Sequence, residues 1–310
     1  MKAVFLDRGS FPEQIDIPLP EKVDEFQQYH NSSAENVVER IRDADIVMTN
    51  KVVLSRAALE QCPSIKLVQV MATGMNNVDL EACQELGIAV QNVAGYSTVS
   101  VPEHTFAMIL DLRRNITRYR EAIKQGQWAS SEFFCFMDFP ILDLNQSTLC
   151  IIGKGALGNR VATIAEAFGM NVIFAEHKQA TDVRKGYVAF DEAIKQADII
   201  TLHCPLTDQT RDVIDEATFA KMKPSAILIN TGRGGLVNET ALVDALKQQQ
   251  IAGAGFDVAT VEPMPKDHPL QAIAHYPNFI LTPHVAWASH SAMTQLLQIA
   301  CDNMAAFIDQ

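Results

Sequence analysis

Long hydrophobic runs are missing from this chain. None approaches the ~18 consecutive apolar residues that a membrane-spanning helix needs, so no transmembrane span is expected. Cysteine is present but unpatterned. Cys62, Cys83, Cys135, Cys150, Cys204 and Cys301 form no C-x-x-C pair and no metal-ligand spacing. That argues against a metal centre and for buried free thiols in a reducing cytoplasm. Basic charge is also short: 25 Lys and Arg stand against 37 Asp and Glu, a formal net charge of −12. Such a balance argues against non-specific nucleic-acid binding while leaving room for a local positive pocket. The opening MKAVFLDRG is too short and too acidic for a signal peptide and reads as a first strand. Low-complexity tracts and sequence-level repeats are absent as well.

What is present is an alternation of short apolar strands and amphipathic helices. Strands are expected at 3–6, 46–48, 67–71 and 88–90, with helices at 33–42 and 80–86. A single long helix is expected over 99–125, with Pro102 in its first turn. Further strands follow at 149–152, 171–175, 199–202, 226–230, 253–258 and 279–281, and a last helix at 289–308. This rhythm predicts an α/β protein with parallel sheets and right-handed crossovers. At 310 residues it has room for two domains. The aromatic stretch 127–145 has two readings: it packs against a partner subunit, or it fills the core between domains.

The densest signal lies at 147–178, STLCIIGKGALGNRVATIAEAFGMNVIFAEHK. An apolar strand runs into Gly153, Gly155 and Gly158, and a helix follows with Leu157, Val161, Ile164, Ala165 and Phe168 on one stripe. The first glycine permits a tight turn, the second lets a pyrophosphate approach the backbone, and the third lets helix pack on strand. After the next strand Glu176 stands at about the 20-residue offset of a ribose-binding acid. The pattern predicts a dinucleotide site, with the helix N-terminus offered to the diphosphate. A carboxylate at Glu176 repels a 2′-phosphate, so NAD is favoured. His177 and Lys178 beside it soften that bias, and NADP remains the lesser alternative.

Chemistry-bearing side chains stand at other strand ends. Arg233 lies in T-G-R-G-G, where the glycines leave room for a ligand and the guanidinium offers a planar fork to a carboxylate. The alternative is a surface arginine in a glycine turn. His284 follows Pro283 directly after a buried strand and can shuttle a proton near neutral pH. Glu262, in V-E-P-M-P, precedes a proline and so takes extended or turn backbone. A carboxylate beside His284 would favour its charged form; the sequence alone does not show that the two meet. In the first half, Asn50 and the backbone N–H groups around Gly74 would receive a small carboxylate, or else these loops are plain turns.

NTGRGGLVNETALVDAL, GFDVATVEP and LTPHVAWAS resemble the three signature segments of the D-isomer-specific 2-hydroxyacid dehydrogenases. GKGALGNRVA is similar to the nucleotide motif of that family, and MATGMNNVDL and VAGYSTVSVPEHTFAMIL to its substrate-loop and crossing-helix segments. The likeness covers nearly the whole chain, in order. Within the family the chain is most similar to glycerate dehydrogenases, or hydroxypyruvate reductases.

The resemblance implies two doubly wound parallel-sheet domains, a Rossmann NAD-binding domain (99–286) inserted into a flavodoxin-like substrate domain (1–98 plus 287–310). It implies Arg233, Glu262 and His284 as the catalytic residues. Gly153, Gly155, Ala156, Leu157, Gly158, Glu176, His203, Pro205, Thr231, Gly232 and Asp257 would contact the nucleotide. Asn50, Thr73, Gly74, Met75 and Trp287, with Arg233 and His284, would contact a small 2-oxo acid. A cytoplasmic homodimer without a metal is implied. A different small 2-oxo acid such as pyruvate or a branched one, and a nucleotide-sensing protein on the same fold, are the rival readings. A formate dehydrogenase is disfavoured, because that relative pairs its histidine with Gln where this chain has Glu262.

Overall fold

The computed structural model describes residues 1–310 and divides into two compact units, Met1–Ser97 with Ala288–Gln310, and Thr98–Trp287. In the first unit, strands β1 (Lys2–Phe5), β2 (Glu25–Gln28), β3 (Ile46–Thr49), β4 (Leu67–Val70) and β5 (Ala89–Gln91) form one parallel sheet. Its order, β2-β1-β3-β4-β5, is the flavodoxin-like arrangement. Every residue of β3 and β4 is buried, as expected of central strands covered on both faces. Helices α1 (Val37–Ile41), α2 (Arg56–Leu59) and α3 (Leu80–Glu85) connect them, and the C-terminal helix (His290–Ile308) packs on β4.

Two local differences from the sequence reading appear here. β2, with the sequence EFQQ, was not expected; as an edge strand it needs little apolar content and stays largely exposed. The helix expected over 33–42 begins only at Val37, because Ser33 and Asn36 form a turn in which the Ser33 N–H donates to Asn36 Oδ1 at 2.9 Å.

The second unit opens with α4 (Ser100–Arg114) and α5 (Ile116–Lys124). This corrects the single helix expected over 99–125. Asn115 takes a left-handed conformation (φ 53°), its side chain donates to the Pro140 carbonyl at 2.7 Å, and Asp111 accepts from the Thr117 N–H at 2.8 Å and hydroxyl at 2.7 Å. Asparagine tolerates that backbone better than most residues, so the axis breaks there although the apolar spacing runs on.

The unit continues through β6 (Thr148–Ile152), α6 (Ala156–Ala167), β7 (Asn171–Phe174), α7 (Phe190–Gln196), β8 (Ile199–Leu202) and α8 (Glu216–Phe219). It ends with β9 (Ile227–Asn230), α9 (Glu239–Lys247), β10 (Gly253–Phe256) and β11 (Phe279–Leu281). The parallel sheet has the order β11-β10-β9-β8-β6-β7, and an isolated parallel bridge between Ala175 and Val188 continues it past β7. The chain thus winds outward from β6, then returns to β8 on the other side of β6. That reversal is the topological switch point at which doubly wound sheets bind ligands.

Strand alternation builds a core on each face. Leu149 and Ile151 of β6 join Phe106 and Ile109 of α4 and Val161 and Ala165 of α6. Cys150 and Ile152 point the other way, to Ile194 of α7 and Leu242 and Leu246 of α9. Within 127–145, by contrast, Phe133, Phe134 and Met137 are 75%, 89% and 79% exposed. The six cysteines are unpaired, and no helix is long and apolar enough to cross a membrane.

Candidate active site

The turn after β6 and the end of β8 meet at the switch point. Gly153 has φ +106°, and a Cβ placed there would lie 2.5 Å from the His203 carbonyl group; one at Gly158 would lie 2.0 Å from the Gly153 oxygen. Packing therefore forces both glycines. A Cβ at Gly155 would meet nothing within 4 Å, so the middle glycine faces open space. Gly155 also caps α6, whose first backbone bond runs from the Asn159 N–H to the Gly155 carbonyl. The N–H groups of Ala156, Leu157 and Gly158 precede that bond and have no intrahelical acceptor. An open, donor-rich helix start beside a glycine fits a pyrophosphate.

Around this turn, His203 Nε2 lies 2.9 Å from Thr201 Oγ1, while its buried Nδ1 has no partner. Burial pulls the imidazole down to about 4, so it is neutral at physiological pH. Pro205 is exposed and its carbonyl accepts from Thr210. Thr231 Oγ1 lies 3.0 Å from Thr105 Oγ1, and the Gly232 N–H donates to Asn230 Oδ1 at 3.1 Å.

Glu176 departs from the expectation of an open ribose acid. Its Oε1 accepts from Arg184 Nη2 at 2.6 Å and from the His177 N–H at 2.8 Å; its Oε2 accepts from Arg184 Nε at 2.8 Å and the Arg184 N–H at 3.0 Å. The Arg184 fork first, then the backbone N–H groups, hold the carboxyl down at about 2. Nothing in the spacing pointed to this arginine, because it arrives from a loop eight positions later.

Arg233, Glu262 and His284 follow or approach the carboxyl ends of β9, β10 and β11, which are neighbours in the sheet. His284 Nδ1 lies 2.6 Å from Glu262 Oε2, and both side chains are about three-quarters to two-thirds covered, 25% and 35% exposed. The other Glu262 oxygen accepts from the Ala259 N–H at 2.9 Å. His284 has φ +56°, a left-handed backbone that costs a non-glycine residue about 1–3 kcal/mol unless its surroundings impose it.

Asp257 is what imposes it. Only 1% exposed, it accepts from Thr282 Oγ1 at 2.5 Å, the Val285 N–H at 2.9 Å and the Ala286 N–H at 2.8 Å. Trp287 Nε1 adds a bond to the His284 carbonyl at 2.9 Å. Asp257, read from the sequence as a nucleotide contact, and Trp287, read as a substrate contact, therefore both brace the His284 turn.

Arg233 is exposed, and its Nη1 donates to the Gly232 carbonyl at 2.8 Å. The space beside Gly234 is not left for a ligand, as the sequence suggested: a Cβ there would lie 2.0 Å from the Ala259 carbonyl carbon. That glycine lets the Arg233 loop lie directly on the segment that leads to Glu262. Asn230 Nδ2 holds the loop from inside through the Arg233 carbonyl at 2.8 Å. The sequence also hid a buried pair behind this segment. Glu239 Oε2 lies 3.1 Å from His268 Nε2, and Glu239 Oε1 accepts from the Thr260 N–H at 2.8 Å. His268 itself caps the turn at Leu270, its Nδ1 accepting from the Leu270 N–H at 3.3 Å.

In the first unit, Asn50 directly follows β3 and is 5% exposed. Its N–H donates to Asp7 at 2.8 Å and its Nδ2 to Ser10 at 3.1 Å. Asp7, which also accepts from the Lys51 and Val52 N–H groups, is buried, and that burial raises its carboxyl. Thr73, Gly74 and Met75 follow β4; Thr73 Oγ1 donates to the Val93 carbonyl at 2.9 Å, and Asn92 donates to the Thr73 carbonyl at 2.7 Å. The N–H groups of Gly74 and Met75 bond to no other protein atom.

The chain is similar to known proteins along nearly its whole length. Residues 106–286 match the family described as D-isomer specific 2-hydroxyacid dehydrogenase, NAD binding domain. A glycerate dehydrogenase of Methylorubrum extorquens is 45% identical over 311 residues, covering 99% of this chain and 96% of that one. A hydroxypyruvate reductase of Blautia hydrogenotrophica is 37% identical over 315 residues, covering 99% and 97%. Among solved structures, D-lactate dehydrogenase from Aquifex aeolicus, complexed with NAD and lactic acid, superimposes with a TM-score of 0.82 at 27% identity, covering 99% and 96%.

Proposed function

The chain belongs to the D-isomer specific 2-hydroxyacid dehydrogenase family, and from that premise we propose that it reduces hydroxypyruvate to D-glycerate, and glyoxylate to glycolate, with NADH. It is an oxidoreductase of 2-hydroxy acids with an NAD-binding domain. The observation that carries the specific reading is the His284–Glu262 pair at 2.6 Å beside the Arg233 loop, in a chain so similar to proteins named for glycerate and hydroxypyruvate.

A nicotinamide dinucleotide, when bound, supplies or accepts the hydride at C2 of the acid. Residues at the end of β6 and the start of α6 would hold its diphosphate, with His203, Pro205, Thr231, Gly232 and Asp257 proposed as further contacts. Glu262 engages His284 Nδ1 and so leaves Nε2 to give its proton to the developing alkoxide. Arg233 presents its fork to the substrate carboxylate and keto oxygen, orienting the acid and stabilising the growing charge. Asp257 and Trp287 fix the imidazole by fixing its backbone. Asn50 and the Thr73–Gly74–Met75 loop are proposed substrate contacts, the two open N–H groups at Gly74 and Met75 being suited to a carboxylate.

The exposed Phe133, Phe134 and Met137, next to a hollow of about 570 Å³ lined by the same segment, support a second copy of the chain as partner. The cytoplasm is the proposed compartment.

The test is NADH oxidation by purified protein offered hydroxypyruvate, glyoxylate, pyruvate and 2-oxoisovalerate in parallel. Preference for hydroxypyruvate supports the proposal. Faster turnover of pyruvate or the branched acid moves the substrate, and NADH binding without turnover of any acid overturns the reading in favour of a sensor.

A further inference from the structure

The carboxyl end of β7 carries one acid and two cations. Glu176 is 2% exposed, and its two oxygens accept four hydrogen bonds, which fills the capacity of a carboxylate. While Arg184 stays, no lone pair is left for a ribose diol. Arg184 is itself 55% exposed, and it uses only the Nε–Nη2 edge of its guanidinium on Glu176. Its second edge, Nη1 with the outer hydrogen of Nη2, has no protein acceptor.

That edge is held in place from behind. The guanidinium carbon stacks on the Tyr187 ring at 4.1 Å from its centroid. Lys154, from the glycine turn itself, lies 5.2 Å from the same ring and 4.6 Å from Phe174, and it has no carboxylate partner. A site whose sequence reads as acidic therefore offers solvent a neutralised carboxylate and two cations fixed on one aromatic ring.

We propose that Arg184 is the residue that sets cofactor choice, bridging Glu176 on one edge and a ribose 2′-phosphate on the other, so that the protein takes NADPH as well as NADH. The inference rests on the nucleotide site proposed above. A guanidinium matches phosphate as well as carboxylate geometry, and using separate edges lets it serve both without breaking the first pair. Lys154 adds a second positive charge from the turn that would hold the diphosphate. Glu176 stays ionised at neutral pH, since its carboxyl is held at about 2, so its repulsion of a phosphate depends on whether Arg184 is present.

The experiment is isothermal calorimetry of the substrate-free protein with ADP-ribose and with 2′-phospho-ADP-ribose, which reads binding without turnover. The expected wild-type affinities lie within about thirtyfold of each other. Arg184→Ala uncovers Glu176, so it should weaken the phosphorylated ligand and strengthen the plain one, moving the ratio by about a hundredfold. Glu176→Gln should move the ratio the opposite way, and Lys154→Ala should weaken the phosphorylated ligand more than the plain one, an effect that shrinks with added salt. A wild-type gap wider than thirtyfold, or a ratio that Arg184→Ala leaves in place, overturns the proposal. ADP-ribose binding with no 2′-phosphate binding defeats this inference alone; binding of neither defeats the nucleotide site as well.

Discussion

His284 meets Glu262 through Nδ1, at 2.6 Å, and this fixes which imidazole nitrogen is left for chemistry. With Nδ1 engaged, Nε2 is the proton donor for reduction and the acceptor for oxidation. His284→Ala should lower kcat for hydroxypyruvate reduction by about 10²–10⁴, the usual worth of a general acid. Reduction consumes a proton, so wild-type reduction weakens as pH rises while oxidation strengthens. Initial rates across pH in both directions check this, and a wild-type to variant rate ratio that stays flat with pH rules out the assignment.

Arg233 lies exposed at the end of β9, its loop pinned by Asn230 and pressed against Ala259. Arg233→Lys keeps the charge and loses the planar fork. The expected result is a higher KM and a lower kcat together, with kcat/KM down by roughly 10²-fold. A KM effect alone would show that the fork binds the acid equally in ground and transition states, contrary to its proposed role.

How much of this was legible before the fold was known differs by residue. The parallel sheets were legible because buried strands such as 226–230 and 199–202 are apolar but for one residue each, and the glycine turn was legible because its glycines follow a strand directly at close spacing. Asp257, Glu239, Asp7 and Arg184 were not. Asp257, Glu239 and Asp7 act on groups 21 or more positions away, Arg184 reaches Glu176 from a loop eight positions on, and an acid that accepts backbone N–H groups leaves no periodic trace. The break at Asn115 was hidden for a different reason: the apolar spacing of α4 continues into α5, and only the left-handed backbone of one residue separates them. The glycines around Arg233 suggest room for a ligand, but the occupant of the Gly234 space is the protein's own chain.

Asp257 is the support on which the left-handed His284 depends. Asp257→Asn replaces an acceptor-only carboxylate by a group with one acceptor, and three donors converge on it. The variant should unfold more easily by about 2–3 kcal/mol, as expected for lost charge-assisted bonds at a buried site. It should also lose kcat beyond what Glu262→Gln loses, because the whole turn is released. Urea unfolding followed with steady-state rates measures both; a variant as stable as wild type would show that the turn holds its shape without Asp257.

The exposed aromatic stretch gives a test of assembly. Phe134→Asp places a charge on a side chain that is 89% exposed, which costs the isolated chain little. If a second copy covers this face, light scattering after size exclusion should read about 68 kDa for wild type, twice the 34.2 kDa chain, and a shift towards the single-chain mass for the variant. Equal masses for the two proteins would remove 127–145 from the interface.

His203 supplies a pH dependence of stability whose sign can be worked out. Its folded value, about 4, lies below the ordinary 6.5, because burial disfavours the imidazolium and Nδ1 has no acceptor. Between those two values the unfolded chain binds a proton that the native state does not. The contribution of His203 to stability is therefore full above pH 6.5 and is lost as pH falls from 6.5 towards 4, by at most roughly 3 kcal/mol. His203→Gln removes the titration while keeping an amide within reach of Thr201. In cofactor-free protein, the unfolding free energy of wild type should drop faster than that of the variant between pH 7 and pH 4, so that any deficit of the variant at pH 7 narrows or reverses by pH 4. Parallel pH slopes for the two would show that His203 takes up its proton in the folded state at the ordinary value, and that the pocket around it is wetter than its burial implies.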